Sequence, residues 1–393
     1  MRGVVKCSLR TLLFLVTMCL AIDARAKTWL VELDGSGDFT DIQPAVDAAA
    51  VGDTIHIGPG RFDTFHPIVA PGWTEDTIVG VLKDNLTFIG SGKDVTFLGP
   101  AAYYGPYGAH PKVFCSFGGL DAVIRDMTIE NAKDGIYWHE GTLAIQSCLF
   151  RGRDPNFFAV YLFVDNGSVR DCDFDLVGGG GSAIGILNSQ GNVQGLEVSN
   201  CIIEGAQFGV RVGYGAPNIH IRDTTMNVTF TGVVFESYST GTVSRCHIAG
   251  AQESGLVATT GSTVGIVDSE VDGGRQGLYV SAGGTITGSQ TIVANTTFAA
   301  LGLSSAGQIS ITGSHILPTA GWAVYCYPFN WSPISIDLTG NYWGTTDSAS
   351  IAASIHDNHD DPAIPHTVVY TPYANGPVPS ETTTWGDLKA LFR

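Results

Sequence analysis

Apolar and polar positions alternate along the chain in short runs, and from Gly119 to Gly344 one phrase of them recurs about nine times. Aligned on a single small residue, the copies read SCLF (147–150), DCDF (171–174), NCII (200–203), DTTM (223–226), RCHI (245–248), DSEV (268–271), NTTF (295–298) and GSHI (313–316). DMTI (126–129) starts the series and GNYW (340–343) closes it. The aligned positions are Met127, Cys148, Cys172, Cys201, Thr224, Cys246, Ser269, Thr296, Ser314 and Asn341, spaced 18 to 29 residues apart. A second phrase follows each first one, as in DGIYW, AVYLF, GVVF and GLYV, and a third, as in LAI, IHI and ISI, leads back in. Self-similarity at this period marks a solenoid or a propeller.

Three period-2 segments per repeat, divided by Gly, Asn, Asp and Ser, predict three strands and three bends. Leucine-rich repeats have a similar length but place leucines where this chain has Cys, Thr and Ser. A propeller blade needs about twice the length and four strands. The pattern therefore predicts an all-β chain, a single-stranded parallel β-helix of about ten coils, right-handed as parallel crossovers are. Its open ends need covers. Ile42, Ala45, Val46 and Ala49 form one apolar stripe, predicting a short N-terminal capping helix over 41–50, started by Thr40 or Asp41 and ended at Gly52. At the other end, a helix over 349–356 capped by Asp347 or Ser348, with Trp343 sealing the last coil, predicts the C-terminal cap.

Residues 1–26 read as a secretory signal, with Arg2, Lys6 and Arg10 before an apolar run and Ala24-Arg25-Ala26 as the cleavage site. The expected layout is then a β-helix domain over 27–374 (cap 27–62, repeats 119–344, cap 345–374) and a linker with an amphipathic tail over 375–393. The expected location is secreted, periplasmic or cell-surface. The whole chain carries a net charge of −17. Without the signal, 16 Lys and Arg stand against 36 Asp and Glu. Nucleic acid is excluded as a partner by the lack of clustered cations. After the signal, no apolar run is long enough for an integral membrane protein. Four of the six remaining cysteines share the repeat's small-residue column, which reads as a ladder of buried thiols.

The stretches DGSGDFTDIQPAVDAA, GDTIHIGPGRF and LTFIGSGKDVTFLG (86–99) resemble the N-terminal part of pectin methylesterases and of secreted pectin-lyase-like proteins. The segment 340–374 resembles the closing segment of secreted β-helix repeat proteins. The resemblance implies fold and compartment. It implies no catalytic residue, because the paired-aspartate motifs of the esterases are missing: Gln146-Ser147-Cys148 lacks the aspartate, and Asp173 and Asp175 flank Phe174 without the glycine context. The signature strings of pectate lyases and polygalacturonases are missing as well.

Candidate chemistry lies on the outward positions of the second strand. One outward column is expected to hold Tyr137, Tyr161, Gly185, Arg211, Val234, Val257, Tyr279 and Ala323. The next is expected to hold His139, Phe163, Leu187, Gly213, Glu236, Thr259, Ser281 and Tyr325. So many rings on one strip mark either a partner surface or a second small core beneath turn loops. Aromatic faces stack on sugars, so polysaccharide is the expected partner, with Tyr137, His139, Tyr161, Phe163, Tyr279 and Tyr325 as binding residues. Arg211 and Glu236 on adjacent coils are a candidate catalytic pair or an ordinary ion pair. Glu140, Asp165 and Asn188 end three consecutive second strands and are candidate oxygen ligands for calcium, the one cofactor the pattern suggests. A tyrosine-rich loop (Tyr103, Tyr104, Tyr107, His110, Lys112) reads as a groove wall or as packing on the first coil. Binding of a neutral or calcium-bridged glycan without catalysis is the leading expectation. A polysaccharide-active lyase, epimerase or hydrolase is the alternative. The sequence does not indicate an oligomeric state.

Overall fold

The computed structural model describes residues 26–70, 73–103, 111–152, 158–178, 181–188, 193–318, 320–329 and 332–378. The three segments of each repeat become three parallel sheets that run the length of a β-helix. The first sheet has 12 strands, from Thr28–Val31 to Gln308–Thr312. The second has 11, from Gly60–Phe62 to His315–Leu317. The third has 13 and ends in Trp322–Cys326 and Ile355–His356. The helix is thus longer than the repeat count predicts. The cap strands Thr28–Val31 and Thr54–Ile57 are already its first coils, hidden in sequence by insertions. One insertion (63–81) is an antiparallel hairpin of His66–Ala70 and Trp73–Val81, whose second strand joins the third sheet through Thr77 opposite Lys112. Residues 104–110 of the tyrosine-rich loop, 1–25 of the expected signal segment (1–26) and 379–393 of the expected linker and tail (375–393) lie outside the described residues.

A recurring bend explains the phrase that reveals the repeat. Within the repeats, each turn from first to second sheet is made by one left-handed residue, Asp126, Ser147, Asp171, Asn200, Asp223, Arg245, Asp268, Gln290 and Gly313, and Gly340 repeats the bend past the last first-sheet strand, with φ between +48° and +74°. Asp, Asn and Gly reach this region at least cost, which is why they dominate. The next residue turns inward. Cys148, Cys172, Cys201 and Cys246 stand in one axial column, fixed by the pairing of Leu149 with Asp173, Asp173 with Ile202, Ile202 with Thr225, and Thr225 with His247. All six cysteines outside 1–25 are buried free thiols. Alkylation of the denatured, unreduced protein is therefore expected to label all six, and two or more disulfides in that assay would overturn the ladder.

One copy of the phrase is displaced. The column residue between Ser269 and Ser314 is Thr291, not Thr296: Glu270 pairs with Ile292, and Ile292 with His315. Its hydroxyl donates to Ser289 O at 3.1 Å, as the Ser269 hydroxyl does to Val267 O at 2.8 Å. Asn295 is also left-handed, at φ +55°, but belongs to the bend between second and third sheets. Both bends use a left-handed residue followed by a small buried one, so the short phrase does not tell them apart.

The covers are those the stripe predicts, with different capping. Helix α1 (Ile42–Ala48) buries Ile42, Ala45 and Val46 over the first coil. Asp41 stands at its N-cap position, yet its carboxylate makes no cap bond and instead meets His66 Nε2 at 2.9 Å. At its C-terminus Lys83 Nζ donates to the carbonyls of Val46, Asp47 and Ala49, the favoured place for a cation. Helix α2 (Ser348–Ala353) is capped by Asp347, which accepts from Ser350 N at 3.0 Å. Trp343 is buried beneath this end.

Candidate functional site

The third sheet breaks strict alternation in a way that shapes its outer face. In each strand two consecutive residues turn inward before the first outward one, as with Gly255 and Leu256 before Val257. A Cβ on Gly255 would lie 2.2 Å from Val271 Cγ1, so only small residues fit there. Ala323 occupies this inner column, opposite Ala300, and is buried. The pattern GWAVY is thus read two residues out of register when Gly321 is taken as the marker. Tyr325 moves to the column of Tyr279, paired through Gly302, and Tyr327 takes the place expected for it beside Ser304.

The remaining register holds. Tyr137, Tyr161, Gly185, Arg211, Val234, Val257 and Tyr279 are successive partners in one outward column. His139, Phe163, Leu187, Gly213 and Glu236 follow each other in the next. The rings gather in two patches. In the first, Tyr137 lies 5.7 Å from Tyr161 and 5.6 Å from Phe163, centroid to centroid, and Phe163 lies 5.4 Å from His139. Phe117 and Phe158, which the outward columns miss, extend this patch at 5.4 Å from Tyr137 and 4.7 Å from Tyr161. In the second, Tyr325 touches Phe298, Tyr327 and His356 at 4.8, 4.8 and 4.7 Å, and Trp322 lies 5.1 Å from His356. All these rings are half-buried and none is sealed in the core.

An ionic group anchors the first patch. Lys112, 3% exposed, pairs with Glu75 at 2.8 Å and Asp134 at 4.0 Å, and its ammonium lies 5.2 Å from the Tyr137 ring centre. Burial, with Tyr161 next in weight, pushes the Tyr137 phenol up to about 12, so at neutral pH it is a hydrogen-bond donor and no base. Sequence reading missed this group because Glu75 arrives from the hairpin insertion, outside the repeat.

Arg211 and Glu236 are brought together: Nε and Nη2 both lie 2.9 Å from Glu236 Oε1. His139 is four ladder steps from Glu236, roughly 19 Å, so the two do not act on one bond. The proposed oxygen ligands do not share a column. Glu140 N bonds to Phe163 O, which places Glu140 level with Val164, while Asp165 N bonds to Gly141 O one residue further on. Asn188 uses its side chain on Gly215 O and Val193 N, both at 3.2 Å. Among the described residues no group of three or more His, Cys, Asp or Glu is arranged to hold a metal ion, and no helix is long and apolar enough to cross a membrane.

Residues 113–298 match the family model described as right handed beta helix region. No curated protein matches the chain. Among solved structures, the A-module of a mannuronan C-5 epimerase from Azotobacter vinelandii is similar at 13% identity, covering 85% of this chain and 94% of that one, with a TM-score of 0.52. A mannuronic acid specific polysaccharide family 6 lyase from human gut microbiota is similar at 11% identity over 88% and 91%, TM-score 0.45. Pectin methylesterase from carrot is similar at 14% identity over 72% and 82%, TM-score 0.32. At these identities the likeness concerns the fold, and that fold is a right-handed parallel β-helix.

Proposed function

We propose that this protein is an exported polysaccharide-binding protein that lays a glycan along the outer face of its third sheet. One observation carries the reading: Phe117, Tyr137, Phe158, Tyr161, Phe163 and His139 form a continuous outward aromatic surface across neighbouring coils. A row of half-buried rings on a rigid sheet gives a sugar chain a stacking platform with little ordering cost. By analogy with aromatic pairs, each ring contributes about 0.5–1.5 kcal/mol beyond its area. The Arg211–Glu236 contact reads as a partly exposed ion pair, so catalysis does not rest on it.

The test is the double variant Tyr161→Ala, Phe163→Ala on a polysaccharide affinity gel. Retention is expected to weaken on the order of tenfold or more, with Tm changed by only a few degrees. A large fall in Tm would make the rings core, and unchanged retention with an intact fold would refute the platform. A second reading, a polysaccharide-active enzyme, draws on the titratable group Glu75, Lys112, Asp134 and Tyr137 at the same patch. Release of unsaturated or reducing-end products, abolished by Lys112→Met, would favour it.

A further inference from the structure

The rings of the third sheet do not form one uninterrupted strip. Between Phe163 and Tyr279 the two outward columns carry no ring: Gly185, Arg211, Val234 and Val257 fill one, Leu187, Gly213 and Glu236 the other. At the far end of this gap the face opens into a cleft of about 510 Å³, a size suited to a small ligand. Val234, Val257 and Tyr279 floor it, and Phe230 and Tyr327 wall it. Polar groups converge at its edge. Gln276, 4% exposed, donates from Nε2 to Tyr327 Oη at 3.0 Å. The Arg275 guanidinium lies 4.9 Å from the Phe298 ring centre and 3.9 Å from Glu253.

We propose that this cleft is a second, separate sugar-binding site, so that one linear neutral glycan is held at two points along the β-helix. The inference rests on the polysaccharide-binding reading above and adds the second site, the bivalency and the charge class. Tyr161 and Tyr279 are five ladder steps apart, or ~24 Å at the spacing of parallel strands. A short oligosaccharide reaches only one patch, and a longer chain reaches both. The second contact is then intramolecular, and avidity exceeds either single affinity by roughly 10²–10⁴. Neutral sugars fit because the cleft's guanidinium and carboxylate face each other, while the net charge of −17 repels a polyanion.

Calorimetry on the full chain with trimers and decamers of linear xylan, mannan and polymannuronate tests this. Wild type is expected to bind a neutral decamer at least ~100-fold more tightly than its trimer. Tyr279→Ala with Tyr327→Ala should remove most of that difference. Val257→Gln, which fills the cleft and removes no ring, should do the same if the ring variant folds poorly. Loss of decamer affinity only in Tyr161→Ala, Phe163→Ala would overturn the second site and leave the first standing. No binding of any decamer by wild type would sink both readings. Tighter binding of polymannuronate than of the neutral chains would overturn the charge class.

Discussion

Raising the pH from 8 to 11 is expected to destabilise this protein by several kcal/mol, with the loss beginning near pH 9. Burial raises the thiols of Cys115, Cys172 and Cys326, and contact with Cys172 together with burial raises Cys201. Burial pushes the Cys246 thiol up to about 12 from an ordinary 9.0. A group whose pKa is raised by folding leaves stability intact below its unfolded value and removes it as pH climbs toward the folded one. In the unfolded chain these thiols ionise from about pH 9, while the folded chain keeps them neutral. For Cys246 alone the three-unit gap amounts to about 4 kcal/mol by pH 12. Urea midpoints measured at pH 8, 9, 10 and 11 read the slope directly. Serine is the control, because Ser269 and Ser314 already fill the same column and donate to the carbonyl two residues back at 2.8 and 3.1 Å. Serine at 172, 201 and 246 should shrink the alkaline limb, leaving the share of Cys115 and Cys326. A wild-type midpoint constant from pH 8 to 11 would mean that the thiols are not buried as thiols.

Asn341→Ala should cost about 3–5 kcal/mol and loosen the last coil first. Asn341 is fully buried at the end of the small-residue column. Its Nδ2 donates to Ile311 O at 2.8 Å and Leu338 O at 2.9 Å, and its Oδ1 accepts from Ser314 N at 2.9 Å. Alanine leaves one amide and two carbonyls without partners, and each such buried group costs about 1–3 kcal/mol. Neither Ser nor Thr, the residues found elsewhere in the column, reaches both carbonyls. The loss is read as a lower urea midpoint and as faster amide exchange in 308–317 before any change near Cys148. An unchanged midpoint would show that the C-terminal cover carries the end of the β-helix without this residue.

The parts legible in sequence are those fixed by local physics repeated many times. A left-handed bend admits few residue types, a small inward column admits few more, and alternation marks each strand. Together these determined the repeat, the three sheets, the stacking of Cys148, Cys172, Cys201 and Cys246, and the amphipathic cap. Arg211 and Glu236 were placed in contact by the same alignment. What local physics leaves degenerate only the ladder decided. Asn295-Thr296 and Gln290-Thr291 satisfy the same bend rule, and strand pairing alone assigns Thr291 to the column. Ala323 stands in for glycine, so Tyr325 could not be phased from the pattern around it. Groups assembled across insertions were the least legible. Lys112 meets Glu75 because a hairpin of another period joins the third sheet, and Tyr327, past the end of its strand, walls the cleft at Tyr279. Periodicity describes what each coil shares with its neighbours, whereas these contacts arise where coils differ, so they exist only in the folded chain.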